Sequence, residues 1–155
     1  MKKFILIIPI LLLATLACSS ALSQTEPTTA PTIQTISTQG KPNIPATEAD
    51  VPRITVEDAK AAVDGSEAVI VDVRSAESFA ASHIAGAISI PLDQFETNIN
   101  NIALDKDQWI ITYCTGQNDH TSARAAFLLL QNGFTRVNPI LGGLSAWADA
   151  GFPTE

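Results

Sequence analysis

Cys114 is the residue whose surroundings could make it a reagent. It ends an apolar run, Trp109, Ile110, Ile111 and Tyr113, that reads as a buried strand, and it opens a short polar loop containing Gly116. Beyond the loop, Thr121 and Ser122 are good N-cap residues for the apolar helical run Ala123 to Leu130. The first-turn N–H groups of such a helix point back over the loop, where they stabilise an anion, a thiolate included. A solitary cysteine is more often an inert buried hydrophobe. The order strand, loop, helix favours a nucleophile instead.

The elements that must hold this loop can be read in chain order. Thr55 and Asp58 have the spacing of a capping box leading into a short helix, Ala59 to Val63. Ala68 to Val73 is an apolar, β-branched strand carrying an acidic Asp72, with Arg74 directly after it. Ala76 to Ala81 predicts one or two helical turns, Ile88 to Ile90 a brief strand closed by Pro91, and Leu92 to Ile102 a helix with a break. Trp109 to Tyr113 is the next strand, and Thr121 to Asn132 the central helix with Gly133 just past its end. Phe134 to Ile140 gives a last strand, broken by Gly142-Gly143, and Leu144 to Ala150 a final helix. Such alternation predicts an α/β domain: a doubly wound parallel sheet with helices on both faces and a site at the carboxyl ends of its strands.

Composition narrows the partners. The formal net charge of the 155 residues is -7, the opposite of a nucleic-acid footprint, so no nucleic acid is expected. Two histidines and one available thiol are scattered without ligand spacing, so no metal site and no cofactor is expected.

The chain divides into three parts. Residues 1–18 combine Lys2 and Lys3, an apolar stretch from Phe4 to Ala17, and Cys18, the build of a secretory signal. The apolar stretch is shorter than the roughly 20 residues of a comfortable membrane span. Thr15-Leu16-Ala17-Cys18 resembles a bacterial lipobox, which implies lipidation of Cys18 and an exported protein anchored to the cell membrane, facing the periplasm or the exterior. The alternative is an ordinary signal cut near Ala21. Residues 19–52, with seven threonines, five prolines and no aromatic residue, read as a disordered linker. Residues 53–155 form the domain. The two cysteines fall in chemically different segments and are not expected to pair.

Within the domain, several landmarks coincide: Val71-Asp72-Val73-Arg74, Glu77, Phe79, His83-Ile84, Gly86-Ala87, Ile90-Pro91, Cys114, Gly133-Phe134, Leu141-Gly142-Gly143, Trp147 and Gly151-Phe152-Pro153. Together they resemble a single rhodanese domain over roughly Ile54 to Glu155. The resemblance implies a sulfurtransferase: Cys114 would take a sulfane sulfur from a small donor, hold it as a persulfide, and pass it to a thiol or cyanide-like acceptor. It also implies an active-site loop made of Thr115, Gly116, Gln117, Asn118, Asp119, His120 and Thr121, with Asp72, Arg74 and Arg124 in support.

The loop departs from the family pattern C-x-x-G-x-R followed by Ser or Thr. It is two residues longer, Gly116 comes one place early, and Thr121 stands where Arg is expected. Asp119 adds negative charge. At roughly 8 Å and an effective dielectric of 40 to 80, it would repel each unit of substrate charge by about 0.5 to 1 kcal/mol, weakening thiosulfate binding. A less charged donor such as a persulfide, or a rhodanese-fold module that binds a partner or senses oxidants without turnover, are the readings this loop leaves open. Phosphatase or arsenate chemistry is weaker, because it wants an Arg clamp on an oxyanion.

Overall fold

A computed structural model describes residues 44–116 and 118–155. The signal, the lipobox with Cys18, most of the linker, and Gln117 of the loop lie outside the described residues. Among the described residues, no helix is long and apolar enough to cross a membrane.

Four parallel strands form one sheet: β1 (Ala68–Asp72), β2 (Ile88–Ser89), β3 (Trp109–Tyr113) and β4 (Arg136–Pro139), in the order β2-β1-β3-β4. Five helices connect and cover them: α1 (Val56–Asp64), α2 (Ala76–Ala81), α3 (Leu92–Asn98), α4 (His120–Gln131) and α5 (Gly143–Asp149). The break expected after Leu92 is a 3-10 turn, Ile99–Asn101. The chain leaves β1 toward β2 on one side and returns to β3 on the other. The carboxyl ends of β1 and β3 therefore meet at the topological switch point, the crevice where open α/β sheets hold their ligands.

Alternation along the strands sorts the core into two layers. Val71 and Val73 of the β1 segment, with Ile110 and Cys114 of the β3 segment, pack with Phe95 of α3 and Ala125, Ala126 and Leu129 of α4. Ile70, Ile111 and Tyr113 point the other way, onto Ala59 and Ala62 of α1 and Trp147 of α5. Cys114 thus continues the face covered by α4, and the inward side of that helix is built from alanines that let it lie close to the sheet.

Local signals explain the ends of the elements. The Thr55 hydroxyl accepts from Asp58 N at 3.1 Å, making half of the expected capping box. Helix α4 starts at His120 with Asp119 as its N-cap residue, earlier than the Thr121 start expected from capping propensities. Ser122 is consequently inside the first turn, where its side chain is free to turn toward the strand.

Order also begins upstream of the expected domain edge at residue 53. Glu48–Asp50 form a 3-10 turn, and Val51, assigned by composition to the linker, is 1% exposed in the α4-side core. One apolar side chain received by a helix face outweighs the local polar composition around it.

Candidate active site

The Cys114 loop is held from below by α5. The carbonyl of Cys114 accepts from Leu144 N at 2.9 Å, and that of Thr115 accepts from Ser145 N and Ser145 Oγ, both at 2.8 Å. These loop carbonyls satisfy first-turn donors that a helix cannot satisfy itself. Because a trans peptide sets N–H opposite C=O, the N–H groups of Thr115 and Gly116 are turned away from α5. The approach is close enough to demand glycine. Gly143 has φ +54°, and a Cβ placed there would lie 2.3 Å from the Cys114 carbonyl oxygen.

The sulfur sits low in this frame, and Cys114 is 5% exposed. Its thiol donates to the Asn118 carbonyl at 3.7 Å, and the fully buried Ser122 hydroxyl donates to the sulfur at 3.6 Å. Ser122 Oγ also lies 3.0 Å from the Asp119 carbonyl, so a single hydroxyl proton faces two acceptors. Ser122 was legible in the sequence only as a capping residue. The signal that could have found it is its place two residues into the helix facing the end of β3.

Above the sulfur a cavity of about 380 Å³ is lined by Arg74, Cys114, Thr115, Gly116, Asn118 and Thr121. A neighbouring depression of about 480 Å³ shares Arg74 and Thr121 and runs on past Ser75, Glu77, Leu92 and Asp93. The two adjoin at Arg74 and Thr121, and the outer one carries the acidic Glu77 and Asp93.

Arg74 borders both spaces, yet its charge is taken. Its guanidinium donates to the Asp72 carboxylate, with Nε at 3.0 Å from each oxygen, and to the Ser82 carbonyl at 2.6 Å. Asp72 is fully buried, and its hydrogen bonds hold the Arg74 guanidinium above its ordinary pKa. Tyr113 adjoins this pair, with Arg74 5.8 Å from the centre of its ring. Burial, and then the Asp72 carboxylate, push the Tyr113 phenol well above its ordinary value, while its oxygen accepts from Ile84 N at 3.1 Å.

The remaining expected site residues are placed elsewhere. Asp119 does not face the cavity as an unpaired charge: Arg53 Nε donates to its Oδ2 at 2.9 Å. The repulsion expected from Asp119 is therefore largely cancelled by an adjacent cation, a partner distant in sequence that no local pattern announces. Arg124 does not reach back over the loop. It pairs with Glu48 at 3.0 Å and Glu96 at 3.4 Å, on the outer side of α4. His120 is exposed in the first turn of α4 and does not line the cavity. His83 stacks on Phe79 at 3.8 Å and is not among the residues lining the cavity. Among the described residues, no group of three or more His, Cys, Asp or Glu side chains is placed to hold a metal ion.

The family model described as a rhodanese-like domain matches residues 55–150. A Bacillus subtilis protein, YqhL, described as uncharacterized, is 40% identical over 81 residues, covering 52% of this chain and 61% of its own. The matched stretch is thus about six tenths of that relative's length. A protein named sulfurtransferase from Allochromatium vinosum is 30% identical over 90 residues, covering 58% of this chain and 80% of its own. The crystal structure of the BH2092 protein from Bacillus halodurans superposes with a TM-score of 0.61 at 31% identity, covering 68% of this chain and 77% of that one.

Proposed function

The chain belongs to the rhodanese-like domain family, and on that footing we propose that it is a sulfurtransferase in which Cys114 carries the transferred sulfur. The observation that carries the proposal is the sulfur's position: at the carboxyl end of β3, beneath a cavity, with the Ser122 hydroxyl 3.6 Å away to stabilise its ionised form. In the first step the Cys114 thiolate attacks the outer sulfur of a donor persulfide. The donor's S–S bond breaks, the donor leaves as a thiolate, and Cys114 becomes a persulfide. In the second step an acceptor thiolate attacks the outer sulfur of that persulfide, the new S–S bond breaks, and the Cys114 thiolate returns. Sulfur moves between thiols, and no external oxidant or reductant is consumed.

The charge arrangement favours a donor of low charge over thiosulfate. Arg53, Arg74 and Arg124 are each paired with a carboxylate, so none of the three brings an uncompensated cation to a dianion. Loop N–H groups would hold the leaving thiolate. The acceptor is a thiol or cyanide-like nucleophile entering past Thr121.

The test is mass spectrometry of purified protein after incubation with thiosulfate or with a small persulfide. The expected result is a gain of one sulfur atom on Cys114, larger with the persulfide. Folded protein that gains no sulfur from any donor overturns the proposal.

A second reading, a binding or redox-sensing module without turnover, draws on one observation: the thiol is 5% exposed, with the Asn118 carbonyl as its acceptor. Full cellular function of Cys114→Ser would favour it. For the whole chain we propose export and lipidation of Cys18, supported by the sequence of residues 1–18. Metabolic incorporation of a labelled fatty acid that is lost in Cys18→Ala is the expected outcome. Secreted, unlabelled protein overturns it.

A further inference from the structure

Arg53 belongs to none of the landmarks that carry the family resemblance, yet it joins two parts of the molecule that concern the sulfur. Its Nε donates to the Asp119 carboxylate at 2.9 Å. Its Nη1 lies within hydrogen-bonding distance of three carbonyls, those of Glu48 at 3.2 Å and of Ala49 and Val51 at 2.8 Å. One guanidinium thus closes the exit of the 3-10 turn and grips the N-cap residue of α4. The segment it closes is fixed to α4 by further contacts: Glu48 to Arg124 at 3.0 Å, and the Pro45 carbonyl accepting from Gln131 Nε2 at 3.1 Å.

Asp119 matters because of its main chain. Its carbonyl accepts from Ala123 N at 2.8 Å and from Ser122 Oγ at 3.0 Å, and Ser122 is the hydroxyl that reaches Cys114. The Ser122 proton serves either the Asp119 carbonyl or the sulfur. The thiol has the Asn118 carbonyl as acceptor for its own proton, and once that proton is gone the Ser122 hydroxyl is a side-chain donor within reach of the sulfur. Both acceptors keep their distances only while the Asp119 backbone stays where it is.

We propose that Arg53 is a positioning residue for the Cys114 thiolate: by clamping Asp119 to the segment 45–53, it fixes the backbone from which Ser122 addresses the sulfur. The segment ahead of the family domain is then a brace for the reactive loop. Arg suits the task because its planar fork serves a carboxylate and several carbonyls together, which a lysine ammonium on one flexible stem does not reproduce. The charged and titratable groups on the elements packed around the sulfur are the Arg74–Asp72 pair with Tyr113 beside it, the Asp119–Arg53 pair, Glu77 and Asp93 on the adjoining depression, Arg124 with Glu48 and Glu96 on the outer side of α4, and the exposed His120.

The brace matters only if Cys114 is the nucleophile, as proposed above, and it is tested without any sulfur donor. The rate of iodoacetamide alkylation of the full chain is followed against pH, with the Cys114 peptide read by mass spectrometry to separate it from Cys18. Arg53→Ala is expected to move the half-maximal pH up by about one unit, about tenfold slower alkylation on the acid side. Asp119→Asn is expected to move it the same way by less, and Arg53→Lys to restore part of the Arg53→Ala loss. In a Ser122→Ala background, Arg53→Ala is expected to add only the smaller shift that the uncovered Asp119 charge produces, because the rest of its effect passes through that hydroxyl.

An unchanged profile in folded Arg53→Ala, or an equal shift with and without Ser122, overturns the proposal. Should Arg53→Ala fail to fold by circular dichroism, Asp119→Asn takes its place in both comparisons, and an unchanged profile or a shift independent of Ser122 again overturns the proposal. Parent protein that alkylates normally but never gains sulfur counts against the sulfurtransferase reading and leaves the brace standing.

Discussion

Ser122 Oγ and Cys114 Sγ lie 3.6 Å apart, one from the first turn of α4 and the other from the end of β3, with both side chains buried. A hydrogen bond to a charged acceptor contributes about 1.5–3 kcal/mol. The long approach to sulfur puts this one at the lower end. Ser122→Ala is therefore expected to slow Cys114 alkylation near neutral pH by about tenfold. A pH–rate profile checks it, and an unaltered profile removes Ser122 from the site.

Gly143 is held at φ +54° against the Cys114 carbonyl. Gly143→Ala is expected to cost about 3 kcal/mol or more, to lower Tm by about 10 °C or more, and to abolish sulfur loading by displacing the loop. Gly151→Ala is the control. It shares a positive φ of +75° but meets nothing within 4 Å of the added Cβ, so it is expected to cost about 1 kcal/mol and leave loading intact. Thermal melts of the two variants make the comparison.

The Asp72–Arg74 pair predicts a non-additive result. Arg74→Met strands a fully buried carboxylate and is expected to destabilise by about 3–5 kcal/mol. Asp72→Asn combined with Arg74→Met is expected to recover much of that loss, since the stranded charge is removed. Denaturant unfolding of the single and double variants measures it. Equal losses in both would mean that the pair acts by packing alone.

Tyr113 sets an alkaline limit. Its folded pKa is raised above the unfolded value of 10.0, chiefly by burial, so folding favours the neutral phenol. The stability this gives is complete below pH 10 and declines as pH rises above it, because the unfolded chain releases the proton first. Tyr113 is the chain's single tyrosine, so ultraviolet titration of tyrosinate reads it alone. The folded protein is expected to titrate late, and Tyr113→Phe to flatten the alkaline fall in stability. An ordinary tyrosine titration in the folded protein would contradict this.

How far the sequence reaches is clear from particular residues. The strands and the cysteine at the end of β3 were legible because burial on two faces leaves apolar β-branched runs, and Gly133 and Gly142-Gly143 mark their borders. The partner of Asp119 was not, because Arg53 is 66 residues away and a charge carries no record of which opposite charge it meets. Val51 was read as linker because a window of composition weighs neighbours in sequence, whereas its burial depends on α4. The donor at the sulfur was expected from backbone alone. The helix starts one residue before Thr121, which makes Ser122 a side-chain donor in place of a cap.

The two grips on the loop have a further meaning. Cys114 and Thr115 are held by α5, and Asp119 by Arg53, so the loop is fixed on both sides of the cavity. Substitution of the exposed Asn118 side chain can reshape the mouth of the site while the sulfur and its hydroxyl partner keep their places, because the sulfur meets the Asn118 carbonyl and not its side chain. A loop two residues longer than the family pattern is thus compatible with an unaltered nucleophile, and specificity can diverge here at little cost to folding.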